Sequence, residues 1–127
     1  MVLCDTNILI EFYKNRTPVT QELRHLGQDQ LAISIVTQAE LYYGALDKAE
    51  LQKIKQHLSL LHRLPIDIPI SNTFLQLMET YSLSHKLSLP DALIAATALA
   101  HDIELYTLNE KDFNFISTLK LYQPVTK

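Results

Sequence analysis

The chain of 127 residues has very little glycine, a single cysteine and no tryptophan. The two glycines and the lack of any serine-rich or repetitive stretch give no sign of a flexible linker, and the length fits one compact domain spanning residues 1–127. Because Cys4 stands alone, the chain has no internal disulfide bond, which favours a reducing, cytoplasmic setting. Several binding motifs are also missing: there is no HExxH, phosphate-binding loop, GxSxG or GxGxxG.

Long hydrophobic runs are missing as well. The longest, over residues 92–96, is too short to cross a bilayer, and the opening MVLCDTN lacks the basic start of a signal peptide. We therefore expect a protein without a membrane partner. The net charge of −3 provides no general attraction to nucleic acid. What the sequence does contain is 47% hydrophobic residues, which is ample for one core.

Strand-like and helix-like patterns alternate along the chain. Strands are predicted at 2–4, 31–36, 103–107 and 119–122, with a short one at 65–69 between two prolines. Helices are predicted at 6–14, 18–26, 37–46, 48–64, 71–87 and 88–101, with a short one from about 110. This alternation predicts an α/β fold with a mostly parallel sheet covered by helices.

Four carboxylates stand close to the starts of predicted helices: Asp5, Glu40, Asp91 and Asp112. Considered singly, each acid is explained by helix capping. The spacings Thr37-x-x-Glu40, Ser88-x-x-Asp91 and Asn109-x-x-Asp112 are those of a capping box, and acids in a first turn also interact favourably with the helix dipole.

Three of these acids also follow predicted strands, and the carboxyl ends of parallel strands share one edge of the sheet, where ligands bind. Carboxylates gathered there repel one another unless a cation lies among them, and an oxygen-only ligand set suits Mg²⁺ or Mn²⁺. The apolar helix at 88–101 would then hold Asp91 rigidly at the site. The neighbouring polar residues have the same two interpretations, capping or support of the acids: Thr6, Asn7, Thr107 and Asn109.

Four segments in order resemble the PIN-domain ribonucleases, and among them the VapC-like toxins: VLCDTNILIE, TQAELYYGA, PDALIAATAL and LYTLNEKDF. By this resemblance Asp5, Glu40 and Asp91 match the three acids that hold metal in the family, and Asp112 matches the more variable fourth. One departure is visible. Family members often have a glycine shortly before the helix of the third acid and another just after it, whereas SHKLSLPD and AHDIELYT contain none.

The resemblance implies a three-layer α/β/α sandwich, Mg²⁺- or Mn²⁺-dependent cleavage of RNA, a homodimer and a small antitoxin partner that covers the site. The helix pair over 48–87 is a candidate surface for the second subunit or the antitoxin, or else packs inward. Tyr42, Tyr43, Phe113 and Phe115 are interpreted as core residues rather than as platforms for RNA bases.

Two other classes of α/β protein require acidic residues at positions where this chain lacks them. A receiver-type signalling domain needs paired acids after the first strand and an acceptor aspartate on a central strand, and a haloacid-dehalogenase phosphatase needs Asp-x-Asp, where this chain has Asp5-Thr6-Asn7. A PIN-like module that binds RNA or protein without cutting, and a nuclease directed at DNA, are both compatible with the motifs.

Overall fold

A computed structural model, which describes residues 1–125, has a parallel four-stranded sheet between two layers of helices. The strands are β1 (Val2–Cys4), β2 (Leu31–Ser34), β3 (His62–Leu64) and β4 (Glu104–Tyr106). The helices are α1 (Thr6–Tyr13), α2 (Thr17–Leu26), α3 (Ile35–Tyr43), α4 (Lys48–Leu58), α5 (Ile68–His85) and α6 (Leu89–His101), with 3₁₀ turns at Gln28–Gln30 and Glu110–Asp112. The predicted α/β class is confirmed.

The strand order β3-β2-β1-β4 places β1 at the centre of the sheet. Val2 pairs with Leu31 on one side and with Glu104 on the other, and all three pairings are parallel. The carboxyl ends of the strands therefore lie along one edge, and Asp5, directly after β1, is at the middle of that edge.

Side chains of the strands alternate between two hydrophobic clusters, one on each face of the sheet. Leu3, Ala32 and Leu105 pack with α5, α6 and the chain after β4. The opposite face packs with α1, α2, α3 and α4, and its strand residues are Val2, Cys4, Leu31, Ile33 and Tyr106. These two clusters make the predicted three-layer sandwich.

Helix α6 lies directly against the sheet because its buried face is made of small residues. Its fully buried alanines are Ala92, Ala95, Ala96 and Ala98. Their short side chains let the helix backbone approach the strands closely, so the position of its first turn is fixed by packing. Within residues 1–125, no helix is both long enough and apolar enough to cross a membrane.

The prediction for the segment between α4 and α5 was wrong. Helix α4 ends at Leu58, and β3 lies at His62–Leu64, where it pairs with Ala32–Ser34, rather than at 65–69. Pro65 and Pro69 have no N–H group to donate to a neighbouring strand. Pro69 instead lies at the start of α5, where Asp67 caps the helix by accepting from Ile70 N at 3.0 Å.

Two other predicted boundaries also differ. Strand β2 stops at Ser34, because the Ser34 hydroxyl accepts from Thr37 N at 3.1 Å and starts α3 two residues early. The predicted strand at 119–122 is reduced to one parallel bridge between Leu121 and Leu105. Its two backbone hydrogen bonds run from Leu105 N to Lys120 O at 2.9 Å and from Tyr122 N to Leu105 O at 2.8 Å.

Two residues in the segments that lack the expected glycines have left-handed backbone conformations. Lys86, at the end of α5, and Asp102, at the end of α6, both have left-handed backbones with φ of 55° and 51°. That conformation is unstrained for glycine and strained for lysine. Lys86 therefore bears a conformational cost at the end of α5, whereas Asp102 adopts this conformation more readily.

Lys86→Gly is accordingly expected to raise the free energy of unfolding by about 0.5–1 kcal/mol, since it removes the left-handed strain at the end of α5. Urea unfolding measures this change. Lys53→Gly, in the exposed middle of α4, is the matched control and should destabilise by about 1 kcal/mol. A loss of stability in Lys86→Gly similar to that in Lys53→Gly would contradict the expectation.

Candidate active site

The four predicted carboxylates do gather at the carboxyl edge of the sheet. Asp5 follows β1, Asp91 lies in the first turn of α6, and Asp112 ends the 3₁₀ turn after β4. Glu40 lies farther from its strand, in the second turn of α3. The charges of Glu40 and Asp112 raise the pKa of Asp5, and those of Asp5, Asp112 and Glu40 raise the pKa of Asp91. Asp5 and Asp91 are thus each near enough to the other acids to be repelled by them.

Asp5 is the most enclosed of the four, with 6% of its surface exposed. One carboxylate oxygen accepts from Thr6 N at 2.8 Å and caps α1, and the other accepts from the Thr107 hydroxyl at 2.7 Å. Burial raises the pKa of Asp5 most, and the two hydrogen bonds oppose that rise. Capping and a place in the site are therefore compatible roles for one side chain.

Asp91 is half-buried at the start of α6. Burial is the largest cause that raises its pKa to about 6, and the charge of Asp5 is the next. A hydrogen bond with the Ser88 side chain opposes the rise, and Ser88 also accepts from Asp91 N at 3.2 Å. Ser88 therefore caps α6 as the predicted capping box requires, and Asp91 lies at the third helical position. This cap aligns the Asp91 carboxylate, which remains beside Asp5.

Thr107 joins the supporting residues together. Its hydroxyl donates to Asp5, accepts from Asn109 N at 3.1 Å and lies 3.5 Å from Asn7 Nδ2. Asn7 Oδ1 in turn accepts from Leu108 N at 3.3 Å. Asn7 and Thr107 therefore connect α1 to the loop after β4. Asn109 contributes through its backbone, and its side chain is exposed.

Glu40 is held by a hydrogen bond from Thr6 of helix α1. The Thr6 hydroxyl donates to Glu40 Oε1 at 2.6 Å and lies 3.0 Å from the Thr37 hydroxyl. The capping box predicted at Thr37-x-x-Glu40 is wrong, because Ser34 is the cap. The position of Thr37 in the site, fully buried beside Thr6, was missed. Its place three residues before Glu40, on the same side of a helix, was the available signal.

Asp112 and Cys4 differ in their environment from Asp5 and Asp91. Asp112 is exposed, and the Asn109 side chain makes no capping hydrogen bond to the turn, so the predicted capping box there is wrong too. Cys4 is fully buried next to Asp5, and burial raises the pKa of its thiol to about 12. The thiol therefore stays protonated at neutral pH and serves as a core residue.

The donor set has the chemistry of a site for a hard cation. In residues 1–125, none of the four carboxylates forms an ion pair with lysine, arginine or histidine; the ion pairs found there join Arg16 to Glu11 and Lys120 to Asp102. Over the same range, no group of three or more His, Cys, Asp or Glu side chains is placed to hold a metal ion by itself. Mg²⁺ typically uses one or two carboxylates and retains water for its other ligands. Asp5 and Asp91, which repel each other, fit that requirement.

Thr107→Val is expected to lower the activity of this site about tenfold, since valine keeps the shape and removes the hydrogen bond that orients Asp5. Catalytic rate and thermal unfolding should be measured together. Thr80→Val is the matched control, because Thr80 is exposed on α5 and donates only to Gln76 O within its own helix. An unchanged rate in Thr107→Val would mean that the Asp5 carboxylate is oriented without Thr107.

A groove of about 830 Å³ opens beside Glu40, between α1 and α4. Its wall is mainly apolar, with Ile10, Leu41, Leu46 and Ile54, and charged residues lie at its border, with Lys14, Asp47, Glu50 and Lys53. Leu46 is 86% exposed. An apolar groove that reaches a cluster of acids is a surface on which a partner can bind and cover them.

Known proteins share both the sequence pattern and the fold. The PIN domain family model matches residues 2–117. Ribonuclease VapC10 of Mycobacterium tuberculosis is 34% identical over 122 residues, which is 94% of this chain and 91% of the relative. Ribonuclease VapC1 of Methanocaldococcus jannaschii is 32% identical over 127 residues, covering 95% of this chain and 86% of the relative.

Among solved structures, a chain of a toxin–antitoxin complex from Klebsiella pneumoniae superposes with a TM-score of 0.82 at 35% identity, over all of both chains. The family match spans almost every element described above, including the four segments that carry the acids. The chain belongs to the PIN domain family, among its VapC proteins.

Proposed function

We propose that the chain is a metal-dependent endoribonuclease that acts as the toxin of a toxin–antitoxin pair. The observation that carries the proposal is the group of four carboxylates at one edge of the sheet, where Glu40 and Asp112 repel both Asp5 and Asp91 and none has a basic partner in residues 1–125. Relatives named as ribonucleases support the activity, and a neighbour named as a toxin–antitoxin complex supports the biological role.

Asp5 and Asp91 are assigned as the principal ligands of Mg²⁺ or Mn²⁺, Glu40 as a ligand or a base that positions water, and Asp112 as an outer ligand. A bound divalent ion lowers the pKa of water and neutralises charge that builds on the phosphate. The chain fixes the geometry: Thr107 and Thr6 N hold both oxygens of Asp5, and the packed helix α6 holds Asp91. Thr6 orients Glu40, and the Thr37 hydroxyl lies against that of Thr6.

The partner that would inhibit the enzyme is a small antitoxin protein. Its contact with this chain is assigned to the apolar groove beside Glu40, because a segment bound there reaches the acids directly. An antitoxin that pairs with an RNA-cutting toxin implies that both reside in the cytoplasm. The chain is proposed to form one domain over residues 1–127.

The chain is also proposed to form a homodimer through the outer face of α5. Apolar side chains at Ile68, Leu75 and Leu83 are exposed there, and Leu83 is 93% exposed. Leu83→Glu is expected to convert a dimer to a monomer, because the charge would be buried unpaired at the interface. Light scattering measures the mass. Leu46→Glu, in the groove, should leave the dimer intact, and a dimeric Leu83→Glu protein would place the interface elsewhere.

Cleavage of total RNA by the purified protein tests the proposed function. Fragments should form with Mg²⁺ or Mn²⁺, disappear with EDTA and disappear in the Asp5→Asn, Asp91→Asn double variant. The fragment ends identify the RNA and the position of the cut. If a folded wild type cuts no RNA and calorimetry finds no metal binding, the chain is a binding module on the same fold. Cleavage of DNA alone would instead make it a deoxyribonuclease.

A further inference from the structure

Three aromatic side chains pack together where α5 ends. The His85 ring stacks on Phe115, with centroids 4.3 Å apart and planes 11° apart. The Tyr81 ring meets both edge-on, at 5.7 Å from His85 and 5.1 Å from Phe115. Ser84 Oγ lies 2.8 Å from His85 Nδ1. An exposed imidazole is thus held in one orientation by three neighbours. We call these three rings, Tyr81, His85 and Phe115, the aromatic platform.

The platform presents one free ring face. Phe115 covers one face of the His85 imidazole, and His85 is exposed, so the opposite face is directed to solvent. Phe115 and Tyr81 are half-buried and pack against the core cluster of α5 and α6. A ring that is already fixed loses little conformational freedom when another flat group stacks on it. Phe113, in contrast, is fully buried in that core as predicted, whereas the same prediction was wrong for Tyr43, which is 94% exposed.

The platform is close along the chain to two residues of the carboxylate site. Phe115 follows Asp112 by three residues, so their Cα atoms are at most about 11 Å apart. His85 belongs to the segment that leads into α6, where the buried Leu87 fixes the path and Ser88 caps the helix that carries Asp91. Two exposed lysines flank the platform in sequence, Lys86 next to His85 and Lys111 next to Asp112.

We propose that His85, backed by Phe115, stacks on an unpaired RNA base close to the phosphate that is cut. This inference rests on the proposed ribonuclease function and adds a substrate contact to it. Bases inside an RNA helix are inaccessible to side chains, whereas bases in loops stack readily on histidine and phenylalanine. The positive charges of Lys86 and Lys111 suit the phosphates of an RNA strand that passes this surface. The cut therefore falls in a single-stranded or looped segment.

Steady-state cleavage of a short labelled RNA strand, centred on the cut mapped in total RNA, tests the platform. His85→Ala should raise KM about tenfold and leave kcat within about twofold, since stacking contributes mainly to binding. His85→Phe keeps a flat ring and should behave like the wild type. His101→Ala is the matched control, because His101 is also an exposed histidine in the last turn of a helix, about 15 Å along α6 from Asp91.

A second substrate makes the test specific for stacking. When the base nearest the cut on the platform side is replaced by an abasic residue, the wild type should lose affinity. His85→Ala should then lose no more, because the two changes remove the same contact. If His85 only packed α5 against Phe115, the losses of affinity from the two changes would instead add.

Three results would contradict the proposal that His85 stacks on an RNA base. One is an unchanged KM in His85→Ala. Another is a loss of thermal stability and kcat with no change in KM, which indicates a purely structural role. The third is a His85→Phe enzyme as impaired as His85→Ala, which indicates recognition of phosphate by an imidazole nitrogen. If the wild type cuts no RNA, both the proposed function and the base-stacking role of His85 are wrong. If the wild type is active but one of these three results is found, only the base-stacking role is wrong.

Discussion

Replacing Asp5 with asparagine should lower the rate of RNA cleavage about a thousandfold or more, with little change in folding. A catalytic ion supplies several kcal/mol of transition-state stabilisation, and each 1.36 kcal/mol is a factor of ten in rate. Asparagine keeps the side-chain oxygen that caps α1 but removes the charge that holds the ion. Asp91→Asn should have a similar effect, and Asp112→Asn a smaller one, because Asp112 is exposed at the border of the site.

Asp67→Asn is the matched control for this loss. Asp67 caps α5 through the same kind of carboxylate-to-backbone hydrogen bond, at 3.0 Å from Ile70 N, but does not belong to the site. The control variant should cut RNA like the wild type. If Asp5→Asn and Asp67→Asn were equally active and bound Mg²⁺ equally well by calorimetry, the capping interpretation of Asp5 would be sufficient.

The metal-free protein should become less stable by about 2 kcal/mol as the pH rises from about 4 to 7. The pKa of Asp91 is raised to about 6, above its ordinary 3.8, and that of Asp5 is raised as well. A carboxyl with a raised pKa binds its proton more tightly in the folded state, so its stabilising effect is present at low pH. That effect is lost as the pH rises through the folded pKa. Partial exposure of Asp91 reduces the effect below the full value of the shift.

Thermal unfolding in EDTA at a series of pH values measures this effect. A loss of 2 kcal/mol lowers Tm by about 8 °C in a domain of this size. Asp91→Asn should flatten the profile between pH 4 and 7, and the comparison with wild type separates Asp91 from all other acids. Added Mg²⁺ should restore the wild type near pH 7 and have little effect on Asp91→Asn. A wild-type Tm that rose across this interval relative to Asp91→Asn would contradict the electrostatic description of the site.

Much of the fold could be predicted from the local pattern of the sequence. The alternation of short apolar strands with helices predicted a mostly parallel sheet covered by helices, and the apolar run at 92–100 predicted a buried helix. Asp5 follows β1, so its place at the carboxyl edge was determined once the strand was recognised. The placement of Ser88 and Asp91 in one capping box was likewise local, because it depends on residues three positions apart.

Tertiary structure alone decided which distant residues meet. Strand β3 is three residues long and mostly exposed, so it has no hydrophobic pattern, and only its pairing with β2 makes it a strand. Thr107 reaches Asp5 across 102 positions, and Thr6 reaches Glu40 across 34, because β4 and β2 both adjoin β1. His85 and Phe115 stack because α5 and the chain after β4 share one core cluster. Periodicity reports the environment of a residue along its own element, whereas these contacts depend on the order of strands in the sheet.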